Sequence, residues 1–146
     1  MTLADDPLLA RRRATADICL GASSTVVDRV VSEATRAANL LGFGRDAAKR
    51  YGDGIRETLP LAFETMALPD GSEREAGLAR LAVMVRGVSE QNRIPQIVER
   101  GLVAIAFRVA REIVRRGAPD KGFTPDELEE EFVAFADQLE TLLFKA

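Results

Sequence analysis

The chain contains no histidine and no tryptophan, and only one cysteine and one tyrosine. Imidazole is the commonest metal ligand and the usual general base near neutral pH. Its absence removes His-ligated haem, His-based zinc and di-iron centres, Ser-His and Cys-His nucleophile pairs, and any histidine pH switch. Carboxylate-only Mg²⁺ or Ca²⁺ chemistry survives this test. The lone Cys19 excludes an intrachain disulfide and suits a reducing cytoplasm. The excess of one sign of charge is small: the net charge is -3, which gives no strong pull toward nucleic acid or an acidic membrane. The opening residues MTLADDP put acids where a secretory signal needs Lys or Arg, and no apolar run reaches the ~20 residues that span a bilayer. The expectation is a soluble cytoplasmic protein that contacts neither nucleic acid nor membrane.

What is present is enough apolar material for a core. The 146 residues are 47% apolar and 29% charged, which is globular rather than disordered composition and fits one domain, 1–146. The punctuation predicts helices from end to end. Asp6-Pro7 reads as an N-cap and first helical residue, opening a segment that Gly21 ends. Ser23 or Ser24 caps the next, whose stripe is Val26, Val30, Ala34, Ala37 and Leu41, with Gly42 just past the end. After GFGR, the residues Ala48, Tyr51, Ile55, Leu59, Ala62 and Met66 keep helical spacing. Gly52, Gly54 and Pro60 weaken that helix, and Pro60 is expected to kink it.

Ser72-x-x-Glu75 has the form of a capping box before the stripe Leu78, Leu81, Val85 and Val88. Ile94-Pro95 marks the next boundary. The last helix has Thr124 as N-cap, Pro125 as first residue and Glu127 as capping-box partner, then Leu128, Phe132, Phe135, Leu139 and Leu142. About six helices with no strand pattern predict an all-α single compact domain ending in a long antiparallel pair.

That pair carries opposite charge. Pro95–Gly117 holds five arginines against two glutamates, and 118–146 holds eight acids against two lysines. The segment GLVAIAF, Gly101 to Phe107, is apolar nearly all round and is expected to be surrounded by neighbours. Beyond it, Arg108, Arg111, Arg115 and Arg116 lie on one side, with Arg115 and Arg116 expected near Glu127, Glu130 and Glu131. The arginine row reads either as solvated ion pairs or as a site for an anionic ligand or acidic partner.

Other candidates for chemistry are thin. Arg11-Arg12-Arg13 spreads round its helix and forms no single phosphate patch. Cys19 lies between Ile18 and Leu20 and reads as a small buried hydrophobe before it reads as a nucleophile. The acids Glu127, Glu129, Glu130 and Glu131 suit a helix start and match no cation-binding loop. Gly42-Phe43-Gly44 and Gly52-Asp53-Gly54 match no phosphate-binding loop. An enzyme would have to rely on Tyr51 with Asp53 or Arg50. Phe63, Met66, Met84, Phe107, Phe132 and Phe135 read as core, or as the walls of an apolar pocket beside the Pro60 helix.

The layout of two helices, a turn at LLGFG, two middle helices and a final antiparallel pair resembles the plan of a globin, with Phe43 where globins keep a pocket phenylalanine. With no proximal histidine, the resemblance implies a haem-free globin-like domain of the kind used for sensing or interaction in bacterial signalling. The leading expectation is therefore a non-enzymatic regulatory or protein-interaction module. Gly77, Ala79, Ala82 and Gly87 allow close helix approach, and a homodimer or a protein partner is expected. The alternative is a sensor for a small apolar or amphipathic ligand, with Phe63, Met66, Met84 and Phe107 as walls and Arg108 as polar anchor. It requires an internal cavity of at least a few hundred cubic ångströms. Neither reading calls for a metal or a cofactor.

Overall fold

The computed structural model describes residues 6–41 and 45–144 of the chain, without the side chains at 34, 35, 37–41, 45 and 48. Six α-helices follow one another: α1 Pro7–Gly21, α2 Ser23–Leu41, α3 Arg45–Met66, α4 Ser72–Gln91, α5 Gln96–Gly117 and α6 Pro125–Phe144. A single 3₁₀ turn, Pro119–Lys121, joins the last two, and no strand occurs among the described residues. The protein is all-α. Phe43, on which the globin likeness leaned, lies outside the described residues, as do Gly42, Gly44 and the side chains of Ala34, Ala37, Leu41 and Ala48.

The helix starts follow the local chemistry of their caps. Asp6 accepts the Leu8 amide at 2.9 Å and Pro7 opens α1. Thr124 and Glu127 exchange reciprocal bonds at the start of α6: Glu127 donates its amide to Thr124 Oγ1 at 3.2 Å, and Thr124 donates its own to Glu127 Oε1 at 3.0 Å. The expected box at Ser72 does not form. Gly71 is the N-cap of α4, with φ of 142°, so Ser72 is already inside the helix, and the Glu75 amide it would have capped bonds the Gly71 carbonyl at 3.0 Å.

The glycines of α3 serve packing. A Cβ on Gly52 would overlap Val31 of α2, and one on Gly54 would lie 2.7 Å from Val88 of α4. Gly77 repeats the device from the other side, where a Cβ would stand 2.5 Å from Thr65 Oγ1. Residues that cost α3 helix propensity thus let it nest between α2 and α4. Pro60 stays inside the helix on an exposed flank. Its ring nitrogen removes the donor that would have bonded the Arg56 carbonyl.

Two buried arginines tie the far end of α3. Arg74, 3% exposed, donates to the carbonyls of Thr65, Met66 and Leu68 at 3.1–3.2 Å and to Gln138 Oε1 at 3.0 Å, with its guanidinium over the Phe135 ring. Arg12 of α1 donates to the Leu68 carbonyl and to Asp70, both at 2.9 Å, and stands 3.6 Å from Glu131 of α6. These contacts satisfy carbonyls that a helix C-terminus leaves unpaired. The triple arginine therefore has no phosphate-binding face: Arg12 is buried in structure and Arg11 pairs with Glu127 at 3.2 Å.

The last pair runs antiparallel. Arg115 bonds Asp126 at 2.8 Å and also Glu129, and Arg111 reaches Glu129 at 3.4 Å. The register differs from expectation, because Glu127 faces Arg11, Glu131 faces Arg12, and Glu130 is exposed. Nor is GLVAIAF surrounded. Leu102 and Val103 are buried, yet Gly101 and Ala104 are exposed and Ile97 is 84% exposed, all on one face of α5. The fully buried valines of this helix are Val109 and Val114, in its charged half. The apolar end of α5 keeps one face uncovered, and its arginine end is held on the other side by α2 and α6.

Candidate ligand cavity

A cavity of about 100 Å³ lies at the centre of the bundle, and each of the six helices contributes to its wall. Its stripes are those that the spacing indicated: Val26 and Val30 from α2, Ile55, Leu59 and Met66 from α3, Leu81 and Val85 from α4. Phe63, Phe107, Phe132 and Phe135 complete it, with Phe107 and Phe132 in an edge-to-face pair at 6.1 Å. The volume is smaller than the few hundred cubic ångströms expected. It nevertheless approaches the ~150 Å³ of apolar cavities that stay dry and take up benzene or xenon.

Of the residues singled out for a ligand, Phe63, Met66 and Phe107 stand in this wall. Met84 and Arg108 do not. Met84 is 36% exposed and off the buried stripe of α4, since it sits one residue, about 100° of turn, before the buried Val85. Arg108 faces outward and is held by Glu33 and, at 3.8 Å, by Glu112. The arginine row is an ion-pair lattice: Arg29 bonds Glu112 at 3.0 Å and approaches Glu33 at 3.8 Å. The Arg29 hydrogen bond, helped by the charges of Arg108 and Arg116, holds the Glu112 carboxyl below its ordinary value. The bonds to Asp126 and Glu129 raise Arg115.

Two outer depressions share walls with the cavity. One, of about 370 Å³, lies between the α1–α2 corner and Pro60, and shares Val27, Leu59 and Phe63. Its rim is Leu20, Ser23, Ser24, Asp28 and Arg56. The other, of about 250 Å³, lies between α5 and α6 and shares Phe107 and Phe132. Arg108 and Arg111 belong to this second depression, so the expected anchor stands outside the aromatic pair and beyond the cavity. Sequence spacing found the walls and missed the rim. A proline that strips the Arg56 carbonyl of its helical donor was the one signal pointing there.

The reactive side chains sit apart. Cys19 is buried in the cavity wall, and burial pushes its thiol up to about 12. Tyr51 is also in the wall, 2% exposed; burial first, then the Glu99 carboxylate, push its phenol up, against the Ser89 hydroxyl beside it. Among the described residues, neither the Tyr51 nor the Ser89 hydroxyl has a hydrogen-bond partner of good geometry. Asp53 and Arg50, the partners considered for Tyr51, are exposed, and Arg50 bonds Asn92 at 3.2 Å. Among the described residues no three Cys, Asp or Glu side chains come together as a metal-ligand set. The acids opening α6 are divided among Arg11, Arg12, Arg111 and Arg115.

The chain matches no protein-family model, no curated protein and no solved structure. These comparisons give the expected resemblance to globins no support. No described helix is long and apolar enough to cross a membrane.

Proposed function

We propose that this is a non-enzymatic sensor domain that holds a small apolar or amphipathic molecule among its six helices. The observation that carries this reading is the central cavity, whose walls are apolar apart from Tyr51, Thr58 and the thiol of Cys19. A void inside a bundle costs packing energy, about 24 cal/mol per Å³. A ligand that fills it recovers that energy and draws every helix to one fixed spacing, which is how occupancy becomes legible at the surface. The buried neutral thiol and the arginine-held carboxylates supply no nucleophile or base, in keeping with binding rather than turnover. A reducing cytoplasm is the natural setting for its unpaired thiol.

A second reading, a self-associating interaction module, is favoured by the outer face of α5. Ile97, Gly101 and Ala104 form an exposed apolar stripe, and on α4 Val83 is 70% exposed beside the open Gly87. Of the small residues expected to bring helices together, Gly77 and Ala82 are used inside the bundle and Ala79 and Gly87 face out. A homodimer through the α5 stripe is compatible with the sensor reading, as the output of the same device.

Native mass spectrometry of the purified chain tests both. The expected result is a dimer, or a chain carrying extra mass that denaturation releases. Bare monomer at micromolar concentration, with no thermal stabilisation by pressurised xenon, a probe small enough for a cavity of about 100 Å³, overturns both readings.

A further inference from the structure

We propose that the depression between the α1–α2 corner and Pro60 is the mouth of the cavity, and that it selects an anionic amphiphile: a short apolar chain ending in a carboxylate that pairs with Arg56. This rests on the ligand-binding reading above and adds the route, the headgroup and the residue that recognises it.

Shared walls separate the cavity from the two outer depressions, and they differ in how readily they open. On the α5–α6 side the cavity is sealed by the edge-to-face pair of Phe107 and Phe132, and the cations outside it are engaged: Arg108 with Glu33 and Glu112, Arg111 with Glu129. On the opposite side the separating wall is Val27, Leu59 and Phe63, from the first turns of α2 and the Pro60 region of α3. Proline at 60 removes one rung of the α3 ladder beside this wall, so the local backbone is the less tightly bonded of the two.

Size sets the chain length. At roughly 30 Å³ per carbon, about a water's share of liquid volume, the cavity of about 100 Å³ holds about three carbons. The outer depression, about 370 Å³, falls in the usual range for small-molecule sites and takes the remaining chain and the headgroup. A chain of about six to ten carbons spans the two.

Charge sets the headgroup. Among the described residues, Arg56 is the one cation lining the depression and Asp28 the one anion. Their pair is loose, 3.9 Å with both side chains mostly exposed, so Arg56 retains donors for a second carboxylate. Arg115 already takes two carboxylates, Asp126 and Glu129, in this molecule. The hydroxyls of Ser23 and Ser24 supply further donors at the rim. Asp28 opposes an anion and therefore tunes the affinity downward.

The test compares octanoate, octan-1-ol and octylamine by calorimetric titration of the whole chain and of three surface variants. Octanoate is expected to bind about tenfold more tightly than octanol, and octylamine no better than octanol. Arg56→Gln brings octanoate to the octanol level and leaves octanol unchanged. Asp28→Asn tightens octanoate several-fold, and Arg108→Gln changes nothing. Arg56, Asp28 and Arg108 are exposed, so folding is not at stake, and a thermal melt of each variant verifies this. Equal binding of octanoate and octanol, or a carboxylate preference lost with Arg108 and not with Arg56, overturns the mouth and its headgroup while leaving the cavity reading intact. Failure of all three probes together with xenon overturns the cavity reading as well.

Discussion

Replacing Leu81 by alanine enlarges the cavity from a wall that is almost completely buried, at 1% exposure. The side chain loses three carbons of apolar burial, which at about 0.8 kcal/mol each is about 2.4 kcal/mol. It also adds roughly 80 Å³ of void, which at about 24 cal/mol per Å³ costs about 2 kcal/mol. The expected destabilisation is about 4 kcal/mol, within the span of core leucine truncations. That leaves a foldable protein if total stability is in the ordinary range of ~5–15 kcal/mol. The new void merges with the existing one of about 100 Å³, so together they exceed the size that admits benzene. At a tenfold excess over its dissociation constant, benzene returns about 1.4 kcal/mol. Urea titrations followed by circular dichroism, with and without benzene, measure both quantities. A loss below about 2 kcal/mol with no response to benzene would mean that the helices close over the gap, and the reasoning from a standing cavity would fail.

Four further outcomes follow from the contacts described. Arg74→Met removes a buried fork that bonds three carbonyls and Gln138; it should cost about 3–5 kcal/mol in urea, and a loss under about 1 kcal/mol would show the α3 end to be held by other contacts. Gly52→Ala should destabilise by about 1–3 kcal/mol because its Cβ meets Val31, whereas Gly87→Ala, in open space, should stabilise by up to about 1 kcal/mol; equal midpoints would refute the packing role. Cys19, buried and with its thiol raised to about 12, should resist a thiol reagent at pH 8 until urea unfolds the chain, so rapid labelling of the native protein contradicts its placement. Finally, the bonds from Thr124 and the charge of Arg11 hold Glu127 below its ordinary 4.5. A carboxylate lowered in the folded state stabilises above that value and loses this contribution as pH falls through the folded pKa, so Glu127→Gln should flatten the decline of the urea midpoint below about pH 4.5.

How much of this was legible without coordinates depended on the range of each interaction. Asp6-Pro7 and Thr124-Pro125-Glu127 could be read because a cap is made within four residues, and both form as their spacing indicates. Ser72 failed by one position: Gly71, at φ of 142°, takes the cap, and a string of residues does not reveal which side of a boundary adopts that conformation. The stripe Leu78, Leu81, Val85 and Val88 is buried along its length, and the same period excludes Met84, which chemical type alone had grouped with the aromatic walls.

The sequence by itself determined that the chain is helical, where most helices begin, which faces carry the apolar residues, and that histidine chemistry is excluded, because these depend on composition and on neighbours three or four positions apart. Only the tertiary structure decided what those faces meet. It turned two propensity-lowering glycines into helix contacts, placed Arg12 and Arg74 on the end of α3, and sent Arg108 outward to Glu33. It also left a void among the six helices, with an outer depression beside Pro60. Shape complementarity and charge pairing over tens of residues depend on the relative rotation and spacing of whole helices, and no local period encodes those.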